Sequence, residues 1–115
     1  MTTPTQGIVL FAHGSRDPLW RAPIEAVEAH IRAHHPGVAV RCAYLELTTP
    51  DLPQAVEDLV DQGATAVTIV PMFLGTGKHA REDLPMLVAE LRARHPRVQV
   101  HVQAAIGEDP RMTAL

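Results

Sequence analysis

The chain has 115 residues, 46% of them apolar, and a net charge of −3, which is enough polypeptide for one soluble domain with an aliphatic core. No apolar run approaches the ~20 residues of a membrane-spanning helix, no secretory signal is visible, and the acidic balance argues against a nucleic-acid binder. Because Cys42 is the single cysteine, an internal disulfide and a multi-cysteine zinc site are excluded, and we expect a cytoplasmic protein.

Four apolar segments rich in β-branched residues are predicted as strands: residues 7–12, 38–45, 66–70 and 98–102. Continuous apolar runs of this kind are typical of parallel strands that are covered on both faces. Helical patterns separate them, so the connections should be right-handed βαβ crossovers. We therefore predict an α/β fold, a three-layer sandwich around a four-stranded parallel sheet.

Prolines and glycines mark the ends of the three predicted helices. The first helix ends at a Pro-Gly pair. The second is expected to begin with Thr49 as its N-cap and Pro50 as its first residue, and to end at Gly63. The third is predicted to have Pro85 in its first turn, which leaves residues 72–78 as a loop.

The segment at residues 32–40, RAHHPGVAV, recurs at residues 92–100 as RARHPRVQV. We predict one domain over residues 1–115, made of two βαβα halves, the second cut off as its last helix begins. The alternative is that two similar helix-to-strand turns produce the match by themselves.

Side chains that can bind metal follow the first three predicted strands: His13, Glu46 and His79. Ligands of open parallel sheets bind beyond the carboxyl ends of the strands, where these residues converge. Imidazole and carboxylate suit cobalt, nickel, zinc and ferrous iron. Three protein ligands at most would leave positions open for a substrate or water.

Each of these histidines, taken alone, is more often a hydrogen-bonding loop residue than a ligand, so the prediction rests on their grouping. The others are expected to be structural or solvated. His101 should be satisfied on the sheet face, Cys42 should be a buried filler, and the remaining histidines lie at helix ends, where they interact with the dipole: His30, His34, His35 and His95.

The Gly-Thr-Gly-Lys loop at residues 75–78 is similar to a phosphate cradle but lacks the Walker spacing, because Met72 and His79 occupy two required positions. Its glycines let backbone approach a ligand closely. Backbone N–H groups entering the third helix could hold a carboxylate together with three cations: Arg16, Lys78 and Arg81. The alternative is that these cations are solvated surface charges.

Three motifs carry a resemblance to a known family: FAHGSRDP at 11–18, YLEL followed by TP at 44–50, and VPMFLGTGKHAREDLP at 70–85. They resemble the small CbiX/SirB-type chelatases, over residues 7–110. The resemblance implies the chelatase fold and insertion of Co²⁺, Fe²⁺ or Ni²⁺ into sirohydrochlorin, for cobalamin, sirohaem or a nickel tetrapyrrole. It also implies a homodimer, and no organic cofactor is expected.

The family's metal-site histidines fall on His13 and His79, and its glutamate falls on Glu46. Our hypothesis is that the histidines hold the metal or accept pyrrole protons in turn, while Glu46 is a third ligand or relays protons. The macrocycle is expected to lie against an apolar wall and its carboxylates to face cations. The predicted substrate-binding residues are Ser15, Arg16, Met72, Phe73, Leu74, Gly75, Thr76, Gly77, Lys78 and Arg81.

The sequence departs from the family pattern at its carboxyl end, where a further helix is expected to be missing or reduced to a turn, and a partner chain would then cover the last strand. Two other functions stay open. One is a carrier that binds metal or tetrapyrrole without catalysis, and the other is a subunit that pairs with another chelatase half.

Overall fold

Four parallel strands form one sheet in this computed structural model, which describes residues 5–115. Residues 1–4 of the predicted domain lie outside the described residues. The strand order is β2-β1-β3-β4. The strands are β1 (Gln6–Ala12), β2 (Ala39–Tyr44), β3 (Ala66–Pro71) and β4 (Gln99–Val102). The predicted α/β fold with a four-stranded parallel sheet is confirmed.

Helices cover both faces of the sheet, which gives three layers. They are α1 (Pro18–His34), α2 (Leu52–Asp61), α3 (Lys78–Arg94) and the one-turn α4 (Pro110–Thr113), which follows a 3₁₀ turn at Ile106–Glu108. None of the helices in the described part of the chain is long and apolar enough to cross a membrane.

The larger core lies between the sheet and helices α2 and α3. Alternate side chains of the strands point to this face, where Val9, Phe11 and Ile69 are fully buried against Leu59 and Leu91. Burying each such side chain stabilises the fold by about 1.5–3 kcal/mol.

A smaller cluster lies on the opposite face, under α1, where Ile24 and Ile31 pack on Leu10 and Val40. Cys42 is buried there, as predicted. Helix α1, all of which is described, contributes no fully buried residue.

Two helix starts differ from the prediction. The N-cap of α2 is Asp51, whose carboxylate accepts the Gln54 N–H at 3.0 Å, so Thr49 and Pro50 precede the helix. Helix α3 begins at Lys78, so Pro85 lies inside the helix rather than in its first turn. A proline removes one intrahelical hydrogen bond, which here is outweighed by packing of the preceding turns on the core.

The two recurring sequence segments have the same local geometry. The Arg32 Nη2 group donates to the Val40 carbonyl at 3.1 Å, and the Arg92 Nη2 group donates to the Val100 carbonyl at 2.8 Å. The C-cap residues, His35 after α1 and His95 after α3, each donate their N–H to the carbonyl four residues earlier, at 2.7 and 2.9 Å. The two helix-to-strand turns are therefore alike in these side-chain and backbone hydrogen bonds as well as in sequence.

Candidate metal and substrate site

His13, Glu46 and His79 line one cavity of about 340 Å³ at the carboxyl edge of the sheet. The cavity is completed by Leu45, Gly77, Lys78, Ala80 and Asp83. The predicted convergence of the two histidines and the glutamate is thus observed, because the loops after β1, β2 and β3 all open onto this edge.

The His13 ring is held by an aromatic contact with Phe73. The two ring centroids are 4.2 Å apart and the planes are inclined by 27°, a stacked arrangement. Phe73 is itself buried and contacts Phe11 in the core, with centroids 5.9 Å apart. The core therefore orients the His13 imidazole. The observed contact of Phe73 is with His13, and its role against a substrate stays a prediction.

The loops after β1 and β2 are joined by hydrogen bonds. The Glu46 N–H donates to the His13 carbonyl at 3.0 Å. The Ser15 N–H donates to the Thr48 hydroxyl oxygen at 3.2 Å, and that hydroxyl donates to the Ser15 carbonyl. Because the residues that carry the imidazole and the carboxylate are bonded to each other, their spacing is set by the backbone. Thr48 was not among the predicted site residues.

Gly14 permits the close approach of these two loops. Its φ is +100°, and a Cβ at this position would lie 1.8 Å from the Glu46 carbonyl oxygen. Only glycine satisfies both conditions without displacing the Glu46 backbone.

A tight turn follows Glu46. The Thr48 N–H donates to the Glu46 carbonyl at 2.8 Å, closing a three-residue turn with Leu47 at its centre. Leu47 has a φ of 65°, which is unfavourable for a residue with a Cβ, and its side chain is 55% exposed. A strained backbone conformation therefore occurs directly after Glu46, the predicted ligand.

His79 lies in the first turn of α3, whose N-cap is Gly77. Helices α1 and α2 are instead capped by the carboxylates of Asp17 and Asp51. Since Gly77 offers no side-chain acceptor, N–H groups at the start of α3 keep their partial positive charge beside the cavity, next to Lys78. This side of the cavity favours an anionic group.

Asp83 also lines the cavity, although it was not among the predicted site residues. It follows His79 by one helical turn, and residues with this spacing lie on the same helix face. That spacing was the available signal. Asp83 and Glu46 give the cavity two carboxylates beside its two imidazoles and one ammonium group.

Other predicted substrate residues lie outside this cavity. Thr76 and Arg81 line a neighbouring groove between α3 and β4, and Met72 packs in the smaller cluster. Ser15 belongs to the hydrogen-bonded loops described above. The remaining ones are exposed: Arg16, Leu74 and Gly75.

The three predicted ligands, His13, Glu46 and His79, line the same cavity, but their side chains do not form a metal-binding cluster. Within residues 5–115, no group of three or more His, Cys, Asp and Glu side chains is arranged so that it could hold a metal ion. Their roles as ligands therefore stay a prediction. His101 does not contribute either: it was expected to be satisfied on the sheet face, and it is exposed beside α3.

Comparison with known proteins places this chain in a family. The CbiX family model matches residues 7–115. The chain belongs to the CbiX family. A sirohydrochlorin cobaltochelatase of Methanococcoides burtonii is 33% identical over 82 residues, which are 71% of this chain and 63% of that protein. A sirohydrochlorin ferrochelatase of Bacillus subtilis is 32% identical over 104 residues, 90% of this chain and 40% of that protein. The chain thus spans less than two thirds of these relatives.

Solved structures of the family are similar as well. A CbiX protein from Marinobacter aquaeolei VT8 superposes with a TM-score of 0.80 at 34% identity, covering 95% of this chain and 88% of that one. The sirohydrochlorin chelatase SirB from Bacillus subtilis subspecies spizizenii, in complex with cobalt, gives a TM-score of 0.82 at 30% identity. That match covers 96% of this chain and 47% of that one, about half of SirB.

Proposed function

We propose that this CbiX-family chain is a sirohydrochlorin chelatase, which inserts a divalent metal into the tetrapyrrole. The observation that carries the proposal is the shared cavity of His13, Glu46 and His79 at the carboxyl edge of the sheet. Relatives named as sirohydrochlorin cobaltochelatase and ferrochelatase support the substrate. A cytoplasmic site of action is part of the same proposal.

The proposed metals are Co²⁺, Fe²⁺ and Ni²⁺, bound as a substrate. Imidazole nitrogen and carboxylate oxygen suit these borderline ions. Structures of SirB with cobalt and with Fe³⁺ support a cobalt or iron substrate.

Metal insertion requires the protein to remove water from the ion, present it to the macrocycle and accept two pyrrole protons. A neutral imidazole nitrogen can bind a metal or accept a proton, but not both at once. In the proposed mechanism His13 and His79 alternate between these roles. Glu46, whose backbone is bonded to His13, acts as a third ligand or passes protons to solvent.

We also propose that two copies of the chain form the working site. The cavity of about 340 Å³ lies near the lower end of the ~300–1,000 Å³ range of ligand pockets, whereas a tetrapyrrole is a large ligand. A two-fold axis would bring two copies of each histidine to one cleft. The matching geometry at Arg32 and Arg92 supports a related proposal, that the chain itself consists of two βαβα halves.

The decisive experiment follows the tetrapyrrole absorption band with purified protein, sirohydrochlorin and Co²⁺. We expect insertion faster than the spontaneous rate, with multiple turnovers, which a carrier would not give. His13→Ala and His79→Ala should each lower the rate of metal insertion by about 100-fold or more, which is the contribution that a positioned acid-base group makes to a rate. The matched control is His30→Ala on the exposed surface of α1. Full activity in both site variants would contradict the proposal.

A further inference from the structure

A groove of about 410 Å³ lies between α3 and the edge strand β4. The first turn of α3 separates it from the cavity lined by His13, Glu46 and His79, the proposed metal site, which is called the metal cavity below. Ala80 lines both spaces; Gly77, Lys78 and His79 line the metal cavity, and Thr76 and Arg81 line the groove. A ligand held in the metal cavity is therefore adjacent to this groove.

The groove has a charge opposite to that of the chain as a whole. Its lining includes Arg81, Arg92 and His101 but no aspartate or glutamate among the described residues. The metal cavity, in contrast, contains Glu46 and Asp83, and the chain carries a net charge of −3. Two arginines and a histidine in a lining that contains no carboxylate favour an anionic occupant.

The floor of the groove is apolar, formed by Leu84, Val88 and Val102. Arg92 is fixed at its edge, because its Nη2 group donates to the Val100 carbonyl at 2.8 Å. A guanidinium has further N–H donors after this bond is made. Such a surface matches a carboxylate at the end of a short aliphatic arm: the floor takes the methylenes and the basic groups take the oxygens.

We propose that this groove binds a carboxylate-bearing arm of the tetrapyrrole whose ring lies at the metal cavity. The inference rests on the proposed function, and it extends the substrate site beyond the first turn of α3. Arg81, Arg92 and His101, which are all exposed, contact the carboxylate. Adjacency to the cavity favours an arm of that substrate over an unrelated small anion.

The test compares two charge reversals, Arg81→Glu and Arg97→Glu. Arg97 is also exposed but lies in the turn before β4, at the opposite end of the strand from the site. Both variants change the net charge equally, so only a local effect separates them. We expect the KM for sirohydrochlorin to rise about tenfold in Arg81→Glu and less than about twofold in Arg97→Glu, with kcat nearly unchanged. His101→Gln should raise KM by a smaller factor, and thermal unfolding checks that each variant folds.

A metal-free titration keeps this inference separate from the proposed activity. Binding of sirohydrochlorin, followed by its fluorescence, should weaken in Arg81→Glu even if the wild-type protein fails to insert metal. The methyl ester of the same macrocycle should bind both proteins equally, because its arms carry no charge. Equal changes of KM in Arg81→Glu and Arg97→Glu would overturn the inference. An unchanged KM in Arg81→Glu, with or without loss of a dimer, would overturn it as well.

Discussion

The two sides of the candidate site are built differently. On one side, the loops that carry His13 and Glu46 are bonded backbone to backbone and by Thr48. On the other side, residues 74–77 are exposed or half-buried before α3 begins with His79 in its first turn. The first side is tied by hydrogen bonds between its two loops. On the second side the backbone of Leu74 lies against Gly107, and the two glycines that follow before His79 are exposed and make no such bond between loops. A substrate can therefore be received by one rigid and one adjustable wall.

The largest expected effect comes from a methyl group on the rigid side. Gly14→Ala places Cβ against the Glu46 carbonyl at a φ that disfavours alanine, so we expect a loss of about 3 kcal/mol in unfolding free energy. Gly75→Ala is the matched control on the adjustable side, because no atom lies within 4 Å of its added Cβ. It should change stability by less than about 0.5 kcal/mol. Urea denaturation measures both, and equal losses would contradict the comparison.

A medium effect is expected at Thr48. Thr48→Val keeps the shape of the side chain but leaves the Ser15 N–H and carbonyl without their partner, which should cost about 1–2 kcal/mol of stability. Cobalt affinity should fall with it, measured by titration calorimetry, because the backbone bond from Glu46 to His13 then holds the two loops together without the Thr48 hydroxyl.

The conservative variant Thr48→Ser retains the hydroxyl and should recover most of both losses. Thr49→Val, at the exposed neighbouring residue, should leave cobalt affinity unchanged. If Thr48→Val and Thr48→Ser behave alike, the hydroxyl does not position the site.

Replacing two exposed leucines by glycine should change the free energy of unfolding by smaller amounts and in opposite directions. Leu47→Gly removes the strain of a positive φ and should stabilise the fold by up to about 1 kcal/mol. Leu74→Gly, on the adjustable side, relieves no such strain and should destabilise by about 0.5 kcal/mol through the entropy of the unfolded chain. Thermal unfolding of the two variants tests the predicted difference in sign.

The effect that is smallest at neutral pH appears only in alkaline solution. Burial, with Cys42 nearby, raises the pKa of Tyr44 from 10.0 to about 12. The folded state therefore retains the phenol proton more firmly than the unfolded state. Stability from this group is complete below pH 10 and is lost as the pH rises towards about 12. Tyr44→Phe should show a shallower alkaline fall in denaturation midpoint than the wild-type protein, and an identical slope would refute this cause.

The convergence of His13, Glu46 and His79 could be predicted from sequence because it follows from strand direction alone. Parallel strands end at one edge whatever the details of packing. The start of α3 could not be predicted from sequence, because Pro85 by itself indicates a helix boundary. It is tolerated inside α3 because the earlier turns of the helix pack on the core. The Thr48 contact depends on two loops meeting in space, and no local pattern encodes such a meeting.

The arginines that bond the outer strands have a consequence for how copies of the chain can associate. Arg32 occupies the Val40 carbonyl on β2, and Arg92 occupies the Val100 carbonyl on β4. The β2 edge is closed further, because the Glu28 carboxylate accepts the Cys42 N–H at 3.0 Å. A foreign strand adding to either margin would have to displace these side chains. Growth of the sheet from molecule to molecule, the usual route to β-aggregation, is thereby opposed at both ends.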